Sequence, residues 1–214
     1  MSSFPPLPLG EVLLLPQNLW LWVERAGEDA PAAASLALSP QEEACWQALK
    51  HPRRRMEWKQ GRLMAKGLVA KALGGAPEAF ELLPREAGPP QLLCEGKALG
   101  AGWLSVSHTA LYVGVAFAPF AVGLDICDRA DARRIERIAR RAFVEEELAL
   151  ASVPEGLAAL WALKEAALKR QGGGVFRPGL LAIQIISLFP PVLRFPNAEV
   201  CLYALPEAFV AIAK

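Results

Sequence analysis

An aspartate lies inside an apolar run, Phe120-Ala121-Val122-Gly123-Leu124-Asp125-Ile126-Cys127. The aromatic and β-branched content, with Pro119 just before it, predicts a strand. Alternation puts Ala121, Gly123, Asp125 and Cys127 on one face and Val122, Leu124 and Ile126 on the other, which is expected to be the core face. An uncompensated carboxylate in such a strand is costly. A metal ion or a cation beside Asp125 would remove that cost. The small neighbours on its face predict room for something to approach.

A second stretch answers the first. Pro154 to Gln171 has helical periodicity, with Leu157, Leu160, Trp161, Leu163, Leu168 and several alanines forming an apolar stripe. Gly172, the first of three consecutive glycines, is a natural stop. Trp161, Glu165 and Lys169 are four apart and share one face. By themselves, Glu165 and Lys169 read most simply as a solvated ion pair contributing a few tenths of a kcal/mol.

Composition narrows the function classes. The chain has 214 residues and a net charge of +1, enough for one large or two small cored domains and too neutral to argue for nucleic acid or an anionic membrane. Cys45, Cys94, Cys127 and Cys201 are scattered, with no C-x-x-C pair, so neither a zinc site nor a disulfide framework is indicated. Two histidines, His51 and His108, make a histidine-based metal site unattractive. Met1 to Gly10 lacks the layout of a signal peptide, and no apolar run is long enough to span a bilayer. Free cysteines suit a reducing compartment. A soluble cytoplasmic protein is expected.

Along the chain, Val12 to Glu24 reads as a strand broken near Pro16-Gln17-Asn18, and Gly27 to Leu38 as a loop. Ser39-Pro40-Gln41-Glu42 is a capping box that opens a helix to about Lys50. Arg53 to Leu73 is a second helix. Short strands follow at 80–84 and 91–94, around Gly88-Pro89-Pro90, then at 103–108 and 111–118. After Pro119 the order begins again: the strand at 120–127, a basic helix over about 131–142, an acidic helix over 144–151, the Trp161 helix, and strands at 181–188, 198–204 and 208–213. The fold class is α+β, read as two pseudo-symmetric halves, 1–119 and 120–214, with a site expected in the cleft between them.

Several polar residues have a plain structural reading beside a functional one. Arg62 and Lys66 are one helical turn apart and could converge on an anion, or belong to a solvated basic face with Lys59 and Lys71. Arg53-Arg54-Arg55 could steer an anionic ligand or simply start a helix. Arg133, Arg134, Arg137, Arg140 and Arg141 could form a solvated face or a landing surface for an acidic partner.

Taken together, G-L-D-I-C at 123–127, R-A-F-V-E-E-E at 141–147 and W-A-L-K-E-A-A-L-K at 161–169 resemble the 4′-phosphopantetheinyl transferases, whose pattern is G-[IV]-D, F-x-x-x-E and W-x-x-K-E-[AS]-x-x-K. Phe143 and Glu147 match the middle element, Val106-Ser107-His108 an upstream S-H element, and Gly61 to Lys66 the first arginine-bearing helix. The resemblance is to the full-length, two-half (surfactin-synthetase-activating) type. It implies a monomer that transfers 4′-phosphopantetheine from coenzyme A to a serine of an apo acyl or peptidyl carrier protein. Adenosine 3′,5′-bisphosphate would be released, and Mg²⁺ required. Asp125 and Glu165 are the implied metal ligands, Glu165 the base and Lys169 the neutraliser of phosphoryl charge. His108, with Ser107, is implied to contact a coenzyme A phosphate, and Arg62 the 3′-phosphate, with Lys66 beside it. Carrier proteins are typically acidic, which would suit Arg137 and Arg141 as a docking face.

Two departures stand out. Where the family often has a lysine in G-K-P, this chain has Pro89, and Arg85 is the nearby substitute. Where many members carry a third metal-binding carboxylate, this chain has Cys127, a soft ligand that Mg²⁺ does not favour. Water could complete the shell, or Asp128 could turn back through a bulge. The rival reading is a non-catalytic protein of the same fold that binds coenzyme A or a carrier. Fatty-acid, polyketide and peptide-synthetase carriers are equally compatible with the sequence.

Overall fold

The computed structural model describes residues 4–27, 36–85, 90–100, 102–153, 155–172, 179–194 and 198–214. Gly88, Pro89, Gly173 and Gly174 lie outside the described residues. The chain divides into two units, Pro8–Ala121, and Val122–Lys214 together with Met1–Leu7.

In the first unit, β1 (Val12–Leu15) and β2 (Leu19–Arg25) form an antiparallel pair. A short 3₁₀ turn at Pro16–Asn18 joins them, with Gln17 and Asn18 at positive φ. The capping box is in place: Ser39 Oγ accepts from the Glu42 N–H at 3.2 Å and Glu42 Oε2 from the Ser39 N–H at 2.9 Å. It starts α1 (Pro40–Gln47). The long helix α2 (Pro52–Leu73) begins with proline, where a missing N–H costs nothing, and stops at Gly74, φ 80°. There follow β3 (Phe80–Leu83), β4 (Gln91–Cys94), β5 (Lys97–Ala98), β6 (Trp103–His108) and β7 (Tyr112–Ala118). The main sheet has the order β1-β2-β7-β6 and the smaller one β3-β4-β5. Met64, Leu68 and Val69 of α2 pack with Val113, Val115 and Phe117 of β7 to make the core.

The second unit opens with β8 (Gly123–Asp128). The expected single basic helix is two pieces, α3 (Ala132–Glu136) and α4 (Ala139–Ala142), separated by a tightened turn in which the Ile138 N–H donates to the Ile135 carbonyl. Both pieces bury one stripe, Ala132, Ile135, Ala139 and Ala142. Then come α5 (Glu145–Leu150), α6 (Gly156–Arg170), β9 (Gln184–Leu188), β10 (Pro191–Arg194), β11 (Val200–Ala204) and β12 (Ala208–Ala213). A 3₁₀ turn at Leu180–Ala182 takes the start of the strand expected from 181, and β10 is an element the sequence reading missed. β9 and β10 form a hairpin, and the main sheet has the order β11-β12-β8. Near the N-terminus, the Leu7 N–H donates to the Ala204 carbonyl and the Ala204 N–H to the Pro5 carbonyl.

One expectation about β8 is corrected. Its Gly123–Asp125–Cys127 face is not an open side. A Cβ on Gly123 would fall on the Ala166 carbonyl oxygen and lie 2.5 Å from the Arg170 amide nitrogen. Cys127 belongs to the core cluster with Leu160, Leu163 and Ala167 of α6. The absent side chain lets the α6 backbone come down onto the strand, so the small residues make room for a helix rather than for a ligand. Leu124 and Ile126 on the other face are buried too.

Candidate active site

That close approach places the two motif ends together. Asp125, 7% exposed, faces α6, and its Oδ1 accepts from Lys169 Nζ at 2.7 Å. The predicted Glu165–Lys169 pairing therefore gives way to a cross-element ion pair. From Leu157 to Leu168 the only side chains not fully buried are Trp161 and Glu165. Lys169, next on the same stripe, is also partly exposed, so α6 presents one accessible edge: aromatic, acid and base. Burial first, and then the negative charge of Asp125, push the Glu165 carboxyl up from its ordinary range, with Lys169 acting in the opposite direction. Trp161 meets Phe143 edge-on at 6.4 Å between ring centres.

The motif's other charged residues do framework work. Lys164 is fully buried and donates to Glu147 Oε2 at 2.6 Å, the Ala142 carbonyl at 2.7 Å and the Leu180 carbonyl at 3.0 Å. Glu147 also accepts from the Val144 N–H at 2.9 Å and the Ile185 N–H at 2.7 Å. This pair ties α4, α5, α6 and β9 together.

Cys127 shares Asp125's face, and its thiol is pushed up by burial and then by Asp125, so it stays protonated. Asp128 does not turn back toward Asp125. The β8–β12 register runs without a shift from Gly123 opposite Ala213 to Asp128 opposite Ala208. With no bulge, Asp128 stays on the Leu124–Ile126 face. Among the described residues no group of three or more metal-capable side chains converges.

The first unit gathers a basic corner where β6 ends against α2. His108 lies with Nδ1 3.2 Å from Glu57 Oε2 and Nε2 2.7 Å from an Arg54 guanidinium nitrogen. Glu57 is buried, and its other oxygen takes Arg53 Nε at 2.6 Å. Ser107 is buried on β6. Arg62 donates Nε to the Leu82 carbonyl at 3.1 Å and stacks its guanidinium 4.3 Å above the Trp58 ring, with burial pulling it below its ordinary range. Lys66 does not join it on an anion. At 1% exposure it donates to Glu42 Oε2 at 3.1 Å and the Ala37 carbonyl at 2.8 Å. The reason is the capping-box glutamate, which needs a buried counter-charge. Arg85 is exposed just past β3. Glu57 escaped the sequence reading, which placed Arg54 only in a cluster that could steer an anionic ligand. The one signal was an acid set among the basic residues 53–62.

Arg133, Arg134, Arg137, Arg140 and Arg141 are all exposed on α3, α4 and their connecting turn. Arg134 reaches Asp131 at 3.3 Å.

Residues 121–202 match the family model of the 4′-phosphopantetheinyl transferase superfamily. The match takes in Asp125, Glu147, Lys164, Glu165 and Lys169, and it ends within β11. This part of the chain therefore carries the signature of a phosphopantetheine-transferring domain. No curated protein matches the chain. No helix among the described residues is long and apolar enough to cross a membrane.

Proposed function

We propose that this chain is a full-length, two-half 4′-phosphopantetheinyl transferase that moves 4′-phosphopantetheine from coenzyme A to a serine of an apo acyl or peptidyl carrier protein. The observation that carries the reading is the Asp125–Lys169 contact of 2.7 Å beside a Glu165 whose carboxyl is pushed up, all within the matched residues.

A hard divalent cation fits the donor set. Asp125 and Glu165 crowd each other electrostatically, which a cation would relieve, and oxygen donors suit Mg²⁺. Asp125 and Glu165 would hold it, with water in the place of the Cys127 thiol. Bound there, Mg²⁺ supplies charge neutralisation at the pyrophosphate. In the transfer step the serine oxygen forms a bond to the phosphorus that bears pantetheine. The bond from that phosphorus to the bridging oxygen breaks, and adenosine 3′,5′-bisphosphate leaves with the electron pair. Glu165 takes the serine proton, and Lys169 neutralises the charge that grows on the phosphoryl and leaving oxygens.

The basic corner around His108 supports phosphate anchoring by His108 and Ser107, and Arg62 and Arg85 of the same unit are the further candidates. The exposed arginines support docking of an acidic carrier. Four free cysteines suit a cytoplasmic enzyme. Incubation with coenzyme A, Mg²⁺ and a panel of apo-carriers, read by mass spectrometry, tests the reading. A phosphopantetheine mass increment on at least one carrier is expected. No increment on any, with coenzyme A still bound, would turn the assignment to a non-catalytic binder. Charge reversal at Arg137 and Arg141 should raise the carrier KM roughly tenfold at low salt and flatten its salt dependence, leaving coenzyme A binding alone. An unchanged salt slope makes those arginines a plain solvated face.

A further inference from the structure

The first unit has a cleft of about 480 Å³ lined by Pro52, Arg55, Met56, Lys59 and Gln60 of α2, together with Trp46 of α1. It lies on the other side of α2 from His108: Lys59 is about 200° round the helix from Glu57, the partner of His108. Its walls are fixed before any ligand arrives. Trp46 Nε1 donates to the Arg55 carbonyl at 3.0 Å. Gln60 donates to the Arg25 carbonyl at 2.8 Å and accepts from the Gly27 N–H at 3.2 Å, so its amide is spent on backbone. The charged heads are not spent. The Arg55 guanidinium carbon lies 4.1 Å, and Lys59 Nζ 5.2 Å, from the centre of the Trp46 ring. Cation–π attraction holds both in place, yet Arg55 Nε is buried with no hydrogen-bond partner. Among the described residues neither head has a carboxylate partner. Two like charges one turn apart repel, and a concave site concentrates their field. An anion between them removes both costs. Met56 and Pro52 add apolar wall, and the volume far exceeds one phosphate or carboxylate group.

We propose that this cleft is an anion-binding site, separate from the His108 corner, for a small organic acid. A phosphate or carboxylate head sits between Arg55 and Lys59, and its aromatic or aliphatic body lies against Met56 and Pro52. Arg55 supplies a planar fork of donors and Lys59 a point charge. The assignment does not depend on the proposed transfer reaction.

The probes are phenyl phosphate, benzoate, inorganic phosphate and benzylamine, titrated into the full chain. The reporter is the Trp46 indole N–H in ¹⁵N–¹H NMR, which is bonded to the Arg55 carbonyl and is assigned among the six tryptophans by Trp46→Phe. Phenyl phosphate should shift it with a midpoint roughly tenfold below that of inorganic phosphate, because only the organic anion covers apolar wall. Benzoate should shift it too, and benzylamine, the same body with a positive head, should not. Arg55→Gln and Lys59→Gln should each raise the phenyl phosphate midpoint roughly fivefold or more. Lys59→Glu should abolish the shift, with the fold retained by circular dichroism. Equal midpoints for phenyl phosphate and inorganic phosphate, indifferent to Arg55→Gln and Lys59→Gln, would make this a plain solvated basic face and overturn the site. The titration is repeated in saturating coenzyme A, where the midpoint should not move. If coenzyme A removes the response, the cleft belongs to the coenzyme A site and the proposal falls. If the wild-type protein binds no coenzyme A, the functional reading falls, while the Trp46 titration still judges the cleft.

Discussion

Glu42 with Lys66 in the first unit, and Glu147 with Lys164 in the second, are built alike. Each glutamate is the third residue of a short helix and accepts from the backbone N–H at that helix's cap, Ser39 or Val144. Each takes a lysine from the long helix that follows and a backbone N–H from a strand, Leu82 or Ile185. Each lysine also donates to a carbonyl two residues before the cap, Ala37 or Ala142. One helical position later the units diverge. After Lys66 comes Gly67, where a Cβ would lie 3.2 Å from the Trp22 ring. After Lys164 comes Glu165, with Asp125 on the facing strand and Lys169 one turn further. The buried pair is therefore scaffold in both units. What differs is what the neighbouring position presents: an aromatic against glycine in one unit, and in the other the two acids and the lysine to which the proposed function assigns the chemistry.

The largest effect that would break this comparison is on activity. Asp125→Ala and Glu165→Ala should each lower transfer by roughly three orders of magnitude or more, with the fold retained by circular dichroism, because each removes half of a two-carboxylate site. Near-normal turnover in either would leave the second unit no more chemical than the first.

Stability comes next. Lys164→Met, Glu147→Leu, Lys66→Met and Glu42→Leu should each cost about 3–5 kcal/mol in urea unfolding, because each strands a charge in the interior. Replacing both partners of a pair should recover much of that loss. If truncation is harmless in one unit, the two pairs are not equivalent.

The glycines give a smaller and unequal effect. At Gly123→Ala the added methyl meets immovable backbone of α6, and a loss at or above the upper end of about 1–3 kcal/mol is expected. At Gly67→Ala it meets a ring that can shift, and the loss should stay near or below about 1 kcal/mol. Equal losses would contradict the close strand–helix approach that places Asp125.

The smallest effect is a pH dependence. A carboxyl raised in the folded state opposes folding when ionised, fully above its folded pKa and not at all below its unfolded one. Glu165→Gln should therefore melt above wild type at pH 8, and the gap should close as the pH falls through the raised range into the ordinary carboxylate range. Added Mg²⁺ should raise the melting temperature of wild type more than that of the variant. A gap that widens on acidification would reverse the sign assigned to Glu165.

What the sequence by itself determined is local or periodic. Ser39 to Glu42 announces a helix start because capping is chemistry between residues three apart. Trp161, Glu165 and Lys169 share an edge because a helix repeats every 3.6 residues. The strands at 103–108 and 208–213 follow from short runs of aromatic and β-branched residues between turn residues, and the family pattern at 123–169 pointed to the domain that residues 121–202 match. The tertiary structure decided the partners. Lys169 bonds Asp125, 44 positions away, rather than its helical neighbour Glu165. Lys66 turns inward to Glu42 instead of outward to an anion. Asp128 stays off the Asp125 face because the ladder has no bulge, and Glu57 reaches His108 across 51 positions. Spacing along a helix or strand says which side chains share a face. Which face is covered, and by what, depends on how closely backbones approach, and at Gly123 that was decided by a missing Cβ.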